Sequence, residues 1–189
     1  MPVAKRVGVL ALQGDFEAHK KALEQAGAHA LEVRTATELD AVDALVLPGG
    51  ESTTMLKLLD EEHLFGPLQR FGRERPVFGT CAGAILLATD VLKPEQRSLG
   101  LVDITVERNG YGRQLDSRVV RLPWYGNTLE AVFIRAPIIR RTGPDVNILA
   151  SWRDTPVLVE QGRHLVATFH PELTDNAQVH GLFIRKLTA

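Results

Sequence analysis

Cys81 stands in Phe78-Gly79-Thr80-Cys81-Ala82-Gly83, directly after the apolar run Pro76-Val77-Phe78. Glycines two positions before and two after a nucleophilic residue suit a sharp strand-to-helix elbow, because a Cβ at either flank would crowd its tight centre. A thiol at the first turn of the following helix meets the positive end of the helix dipole, which favours thiolate. A lone cysteine is more often a small buried hydrophobe; the flanking pattern points here to a nucleophile. Far downstream, His170-Pro171-Glu172 closes the apolar run Leu165 to Phe169. Proline fixes its own φ and restricts the residue before it, so imidazole and carboxylate keep a defined relation. Glu172 can then accept from one ring nitrogen, leaving the other for the thiol and later for a departing amine. The alternative is a strand-end turn with an exposed carboxylate. Paired with Cys81, the motif reads as hydrolytic chemistry.

A third loop, Pro48-Gly49-Gly50-Glu51-Ser52, follows the apolar run Ala44 to Leu47. A glycine pair opening a helix is common as a plain turn and cap. After a parallel strand it reads as an oxyanion hole, in which the Gly50 N–H joins the Ala82 N–H behind the nucleophile. The lysine and hydroxyl of a phosphate-binding P-loop are absent.

Strands must deliver these loops to one place. Val7 to Leu12, Leu31 to Val33, Ala44 to Leu47 and the run before Cys81 are strand-like, and the first is apolar without alternation, as in a strand buried on both faces. Helical spacing follows Asp15 (Phe16, His19, Ala22, Leu23, Ala26, ended by Gly27), with Asp15 as N-cap. Another helix carries Met55, Leu56 and Leu59 with Ser52 or Thr53 as cap, and a third runs from Ala82 to Ala88. This alternation predicts a doubly wound α/β sheet with a parallel core. After Leu99 the runs at 104–106, 131–134, 147–150, 157–159 and 165–169 are separated by turns, and Gln161-Gly162 suits a hairpin. They predict an antiparallel extension of that sheet, closed by a helix from Val179 to Leu187. Open α/β sheets place their sites beyond the carboxyl ends of strands. The loops after Leu12, Leu47, Phe78 and Phe169 all lie there.

The 189 residues, 44% hydrophobic and 24% charged, suit one domain spanning 1–189. A net charge of -1 gives no electrostatic reason to expect nucleic acid or an anionic membrane. One cysteine makes neither an internal disulfide nor a multi-cysteine zinc site. No apolar run reaches the roughly 20 residues of a membrane helix, and the stretch after Arg6 lacks signal-peptide form. A cytoplasmic protein is expected.

The motifs together resemble the class I glutamine amidotransferases, and within them the glutaminase subunits of pyridoxal 5'-phosphate synthases. Leu12-Gln13-Gly14, the loop at 48–53, the elbow at 79–83 and His170-Pro171-Glu172-Leu173 carry the broader likeness. Arg108-Asn109-Gly110-Tyr111-Gly112-Arg113-Gln114 and Phe133-Ile134-Arg135-Ala136-Pro137 single out the vitamin B6 branch. The resemblance implies a flavodoxin-like fold and a Cys81–His170–Glu172 triad that releases ammonia from L-glutamine. It implies a pocket lined by Gly50, Glu51, Ser52, Arg108, Ile134 and Arg135, no metal or cofactor, and a hetero-oligomeric complex with a (β/α)-barrel synthase. Guanidinium pairs well with a substrate carboxylate, whereas Arg140 and Arg141 read as a solvated basic face. A glutaminase for another synthase, such as imidazole glycerol phosphate synthase, a cysteine peptidase, or a non-catalytic assembly module are the competing readings. Two departures from the family pattern stand out: Ala18 precedes His19 where a glutamate is usual, and Arg118, Arg121, Trp124 and Tyr125 occupy a segment that is more acidic in relatives.

Overall fold

Strand segments that are apolar at every position must be covered on both faces, and the arrangement of the chain explains the pattern seen here. The computed structural model describes residues 3–110 and 117–188. In chain order the first half comprises β1 (Arg6–Leu10), α1 (Phe16–Gln25), β2 (His29–Val33), α2 (Ala36–Asp40), β3 (Ala44–Leu47), α3 (Ser52–Glu61), α4 (Phe65–Glu74), β4 (Val77–Thr80) and α5 (Ala82–Leu87). The second half comprises β5 (Ala88–Leu92), β6 (Val102–Glu107), β7 (Ser117–Trp124), β8 (Asn127–Ile134), β9 (Ile138–Thr142), β10 (Asn147–Trp152), β11 (Thr155–Gln161), β12 (His164–Ala167), a 3-10 turn (Pro171–Leu173) and α6 (Gln178–Lys186).

The main sheet has seven strands in the order β10-β11-β12-β4-β3-β1-β2. From β12 to β2 every pairing is parallel, while β11 and β10 add antiparallel to the outer edge of β12. Alternate residues of the inner strands feed two cores: Leu45, Leu47 and Val77 pack with α2, α3, α4, α5 and the β5–β6–β9 sheet. Ala44, Val46 and Phe78 pack on the other face with α1, α6 and the β7–β8 hairpin. The sheet is therefore doubly wound with a parallel core and an antiparallel extension.

The extension is smaller than the sequence suggested. Only β10 and β11 extend the sheet antiparallel; the run at 165–169 holds β12, parallel to β4 within the core, and the runs at 104–106 and 131–134 belong to β6 and β8, in separate small sheets. Five helices and strands escaped the hydrophobic pattern, namely the short α2, α4 and the strands β5, β7 and β9. Ala88, expected to end a helix, instead starts β5. Asp15 sits at the start of α1 but makes no side-chain cap bond. Among the described residues no helix is long and apolar enough to cross a membrane.

Strand ends β1, β3, β4 and β12 come together where β4 turns into α5. Every residue of α5 is buried, as expected for a helix that is apolar all round. Its second residue, Gly83, approaches β3 so closely that an added Cβ would lie 2.1 Å from the Leu47 carbonyl oxygen. Gly83→Ala should therefore destabilise the fold by about 1–3 kcal/mol. Gly181→Ala, inside α6 and facing only the end of the Arg185 side chain at 3.5 Å, should instead stabilise it by about 0.5–1 kcal/mol. Urea unfolding midpoints of the two variants check the contrast.

Candidate active site

The elbow has the backbone its glycines imply. Cys81 takes φ +50° and ψ −105° at the cap of α5, a conformation that costs a non-glycine residue about 1–3 kcal/mol. Gly79 is needed because a Cβ there would stand 2.5 Å from the Gly83 carbonyl oxygen. The Cys81 N–H donates to Ala167 O at 3.0 Å, tying the elbow to the end of β12. Its Sγ lies 4.0 Å from Ile134 O, so the end of β8 borders the thiol.

His170 follows β12 and is held from the other side: its N–H donates to Val132 O of β8 at 2.8 Å. Nδ1 lies 2.6 Å from Glu172 Oε1, with Glu172 buried in the 3-10 turn. A Cβ on Gly49 would be 2.6 Å from His170 Cε1 and 3.4 Å from Cys81 Cβ. Imidazole, thiol and glycine loop are thus packed against one another. Burial is the largest influence on His170 and would lower its pKa. Hydrogen bonds to Cys81 and Glu172, with the charges of both, outweigh it and raise the pKa to about 10. The arrangement favours the imidazolium form of His170.

Gln13, just after β1, grips the glycine loop. Its Nε2 donates to Gly49 O at 3.3 Å and its Oε1 accepts from Glu51 N–H at 3.3 Å. In a trans peptide the N–H points opposite to the carbonyl, so the Gly50 N–H faces away from Gln13. Gly50 has φ +133°, where a Cβ would also strike the Gln13 amide at 2.3 Å. Ala82, the other expected donor, is buried as the first residue of α5.

The remaining predicted residues are placed less uniformly. Glu51, and neither Ser52 nor Thr53, caps α3, accepting from Thr53 N at 3.0 Å and Thr54 N at 2.6 Å. The Thr54 hydroxyl, ahead of these backbone donors, holds its pKa down to about 2. Ser52 is buried and its hydroxyl donates to Gln96 Oε1 at 3.1 Å. Arg108 reaches across from the end of β6 to Thr53 Oγ1 at 2.9 Å and Glu51 Oε1 at 3.4 Å. Ile134 ends β8 beside the thiol, and the next residue, Arg135, is exposed with φ +45°. Tyr111 to Gln114 of the arginine-rich motif lie outside the described residues. Arg140 and Arg141 are half-exposed and paired with Glu107 and Asp103, in line with a solvated face.

A family model described as the SNO glutamine amidotransferase family matches residues 9–189. The chain belongs to this family. Among amidotransferase relatives, the pyridoxal 5'-phosphate synthase subunit PdxT of Solibacter usitatus is 61% identical, covering 97% of this chain and 100% of that protein. The protein of the same name from Koribacter versatilis is 50% identical over 95% of this chain and 94% of its own. A crystal structure of a glutamine amidotransferase superposes with a TM-score of 0.90 at 46% identity, covering 97% of this chain and 99% of that one.

The raised pKa of His170 has a signed consequence for the amidotransferase fold. Folded His170 holds its proton more tightly than an unfolded histidine of pKa 6.5. Its pairing therefore stabilises the fold fully below about pH 6.5 and is lost as pH rises through about 10. The stability difference between wild type and His170→Asn should fall across that window in chemical denaturation at stepped pH. A difference that stays flat or grows contradicts the ion-paired state.

Proposed function

We propose that this chain is a glutaminase, a single domain spanning residues 1–189, that hydrolyses L-glutamine to L-glutamate and ammonia. The ammonia passes to a (β/α)-barrel pyridoxal 5'-phosphate synthase subunit. The observation that carries this reading is the convergence of the strained Cys81 elbow with a buried His170–Glu172 pair at 2.6 Å. Relatives named as subunits of pyridoxal 5'-phosphate synthase support the choice of pathway. A reducing cytoplasm suits a free catalytic thiol.

Cys81 Sγ, as thiolate, attacks the side-chain amide carbon of glutamine, and the carbonyl oxygen becomes an oxyanion. The N–H groups of Gly50 and Ala82 stabilise that charge, a contribution typically of about 3 kcal/mol per donor. His170, as imidazolium, gives its proton to the amide nitrogen; the C–N bond breaks and ammonia leaves a thioester on Cys81. His170, now neutral, takes a proton from water, whose oxygen attacks the thioester carbon. Glutamate departs and the thiolate–imidazolium pair is restored. Glu172 holds the imidazole orientation throughout. Arg108 binds the substrate α-carboxylate, with Arg135, Ile134 and Ser52 completing the pocket. Glu51 serves it mainly by capping α3 and anchoring Arg108.

Cys81→Ala should reduce glutamate release by at least about 10³-fold, while the partner's synthesis from added ammonia continues unchanged. If both activities fall together, the thiol does not supply the ammonia. Arg108→Ala should raise the glutamine KM by roughly 10- to 100-fold, the loss of a charged hydrogen bond, with a smaller change in kcat. An unchanged KM removes it from the pocket. Gln13→Ala, which frees the Gly49–Gly50 peptide, should lower kcat up to about 10²-fold at little changed KM, as for loss of one oxyanion donor. Steady-state kinetics with the synthase present reads all three.

A further inference from the structure

The site described above uses one oxygen of Glu172. The other, Oε2, is buried and has no hydrogen-bond partner of good geometry among the described residues. Its polar neighbour is His19 Nε2 of α1, at 3.5 Å. His19 is fully buried and belongs to neither the proposed reaction nor the substrate pocket. The same Nε2 lies 3.1 Å from Thr80 Oγ1, on the residue preceding Cys81. Its Nδ1 lies 2.9 Å from Nε2 of His180, itself buried in α6. A titratable line thus runs behind the triad from α6 through α1 to the acid.

Hydrogen-bond accounting assigns the protons along it. One nitrogen of the His19–His180 contact must donate and the other accept. If His180 accepted, its proton would sit on Nδ1, a buried atom with no partner, and His19 Nε2 would turn a lone pair toward the carboxylate. Both outcomes cost energy. If His180 donates from Nε2, only a lone pair is left unpartnered, and His19 carries its proton on Nε2, aimed at Glu172 Oε2 and Thr80 Oγ1. Burial above all, with the charges of His180 and His170, holds His19 well below its usual pKa. Burial lowers His180 to about 4. The line is neutral, so it supports the carboxylate without competing with His170 for its charge. The titratable groups facing His19 among the described residues are Glu172, His170 and His180. Its helix neighbours Glu17 and Lys20 are engaged elsewhere, Lys20 bridging Glu17 and Glu32.

We propose that His19, oriented by His180, is a positioning residue that presents a neutral N–H to the free oxygen of Glu172 and, through Thr80, ties the acid to the strand carrying Cys81. It touches neither substrate nor reacting atoms and acts through Glu172. At 3.5 Å its contact with the carboxylate is long for a hydrogen bond, so its effect is chiefly electrostatic, with Thr80 the closer anchor. This inference rests on the glutaminase reading of the triad for its catalytic consequence and on geometry alone for its proton assignment.

His19→Leu should lower kcat for glutamate release by the full chain with its synthase by about 10–100-fold, by analogy with the loss of a partner hydrogen-bonded behind a metal ligand. KM should hardly change. Without that N–H the Glu172 carboxylate is free to turn away from His170 Nδ1 and holds the imidazolium less, so the alkaline limb of kcat/KM should move to lower pH. His19→Gln, which can still offer an N–H near the former Nε2, should recover most of kcat and the wild-type limb. A His19→Leu protein with wild-type kcat and limb overturns the proposal, as does equal impairment of both variants. Should His19→Leu fail to fold, nitrogen-15 NMR of the wild-type protein decides: both imidazoles must be neutral Nε2–H tautomers near pH 7. Finding either one protonated there, or His19 as the Nδ1–H tautomer, overturns it. This measurement needs no substrate, so its outcome is independent of whether glutamine is hydrolysed; a wild-type protein inert toward glutamine with the expected tautomers would sink the functional reading alone.

Discussion

Cys81 is held in a backbone conformation that an L-amino acid avoids, and the surrounding structure supplies the restraint that keeps it there. Gly79 and Gly83 allow β4, α5 and the end of β3 to approach more closely than any side chain would permit. The Cys81 N–H is bound to Ala167 on the neighbouring strand, and α5 is buried on every side. Relaxing φ at Cys81 would mean moving a helix out of the core. The strain is therefore fixed, and with it the direction of the thiol. Because β12 both receives that hydrogen bond and leads into His170, the same contact that anchors Cys81 sets the position of His170.

Charge within the buried region is confined with equal economy. Four histidines in this fold are mostly or wholly enclosed, yet only His170 has its pKa raised; His19, His164 and His180 are all lowered, chiefly by burial. Enclosure is common to all four, so partners make the difference. His170 lies between Cys81 and Glu172. His164 accepts a backbone N–H from Val77 at 3.1 Å, a bond that requires an unprotonated nitrogen. Neutral imidazoles beside His170 and Glu172 add no net charge there, so what they contribute is hydrogen bonding and orientation.

Much of this architecture was legible in the sequence because it rests on local rules. The buried parallel strands announced themselves through unbroken apolar runs, the elbow through Gly79 and Gly83, and the His170–Glu172 pair through its proline. Elements with weaker patterns were lost: α2 has five residues and one buried side chain, Leu39, and β9 reads Ile-Ile-Arg-Arg-Thr, without the alternation of a half-buried strand. The cap of α3 was assigned to Ser52 or Thr53 on propensity, whereas Glu51 reaches both amides and Ser52 turns inward to Gln96. His19 was visible as a member of an apolar helix face, and a titratable residue on such a face was the available signal. Its partners at positions 80, 172 and 180 are brought to it only by the tertiary fold. The latch between Gln13 and Gly49 is hidden for the same reason, since it joins loops after adjacent parallel strands that are distant in sequence.

The central claim is that one activated sulfur, aimed by the elbow, attacks the amide carbon of glutamine in a pocket built for that amino acid. A diazoketone analogue of glutamine, which alkylates a nucleophile occupying that position, tests it most directly by intact and peptide mass spectrometry. The account predicts one adduct per chain, located on Cys81, whose formation is slowed by L-glutamine but not by L-glutamate's simple amine analogues. Labelling that misses Cys81, or that proceeds at the same rate in saturating L-glutamine, contradicts it.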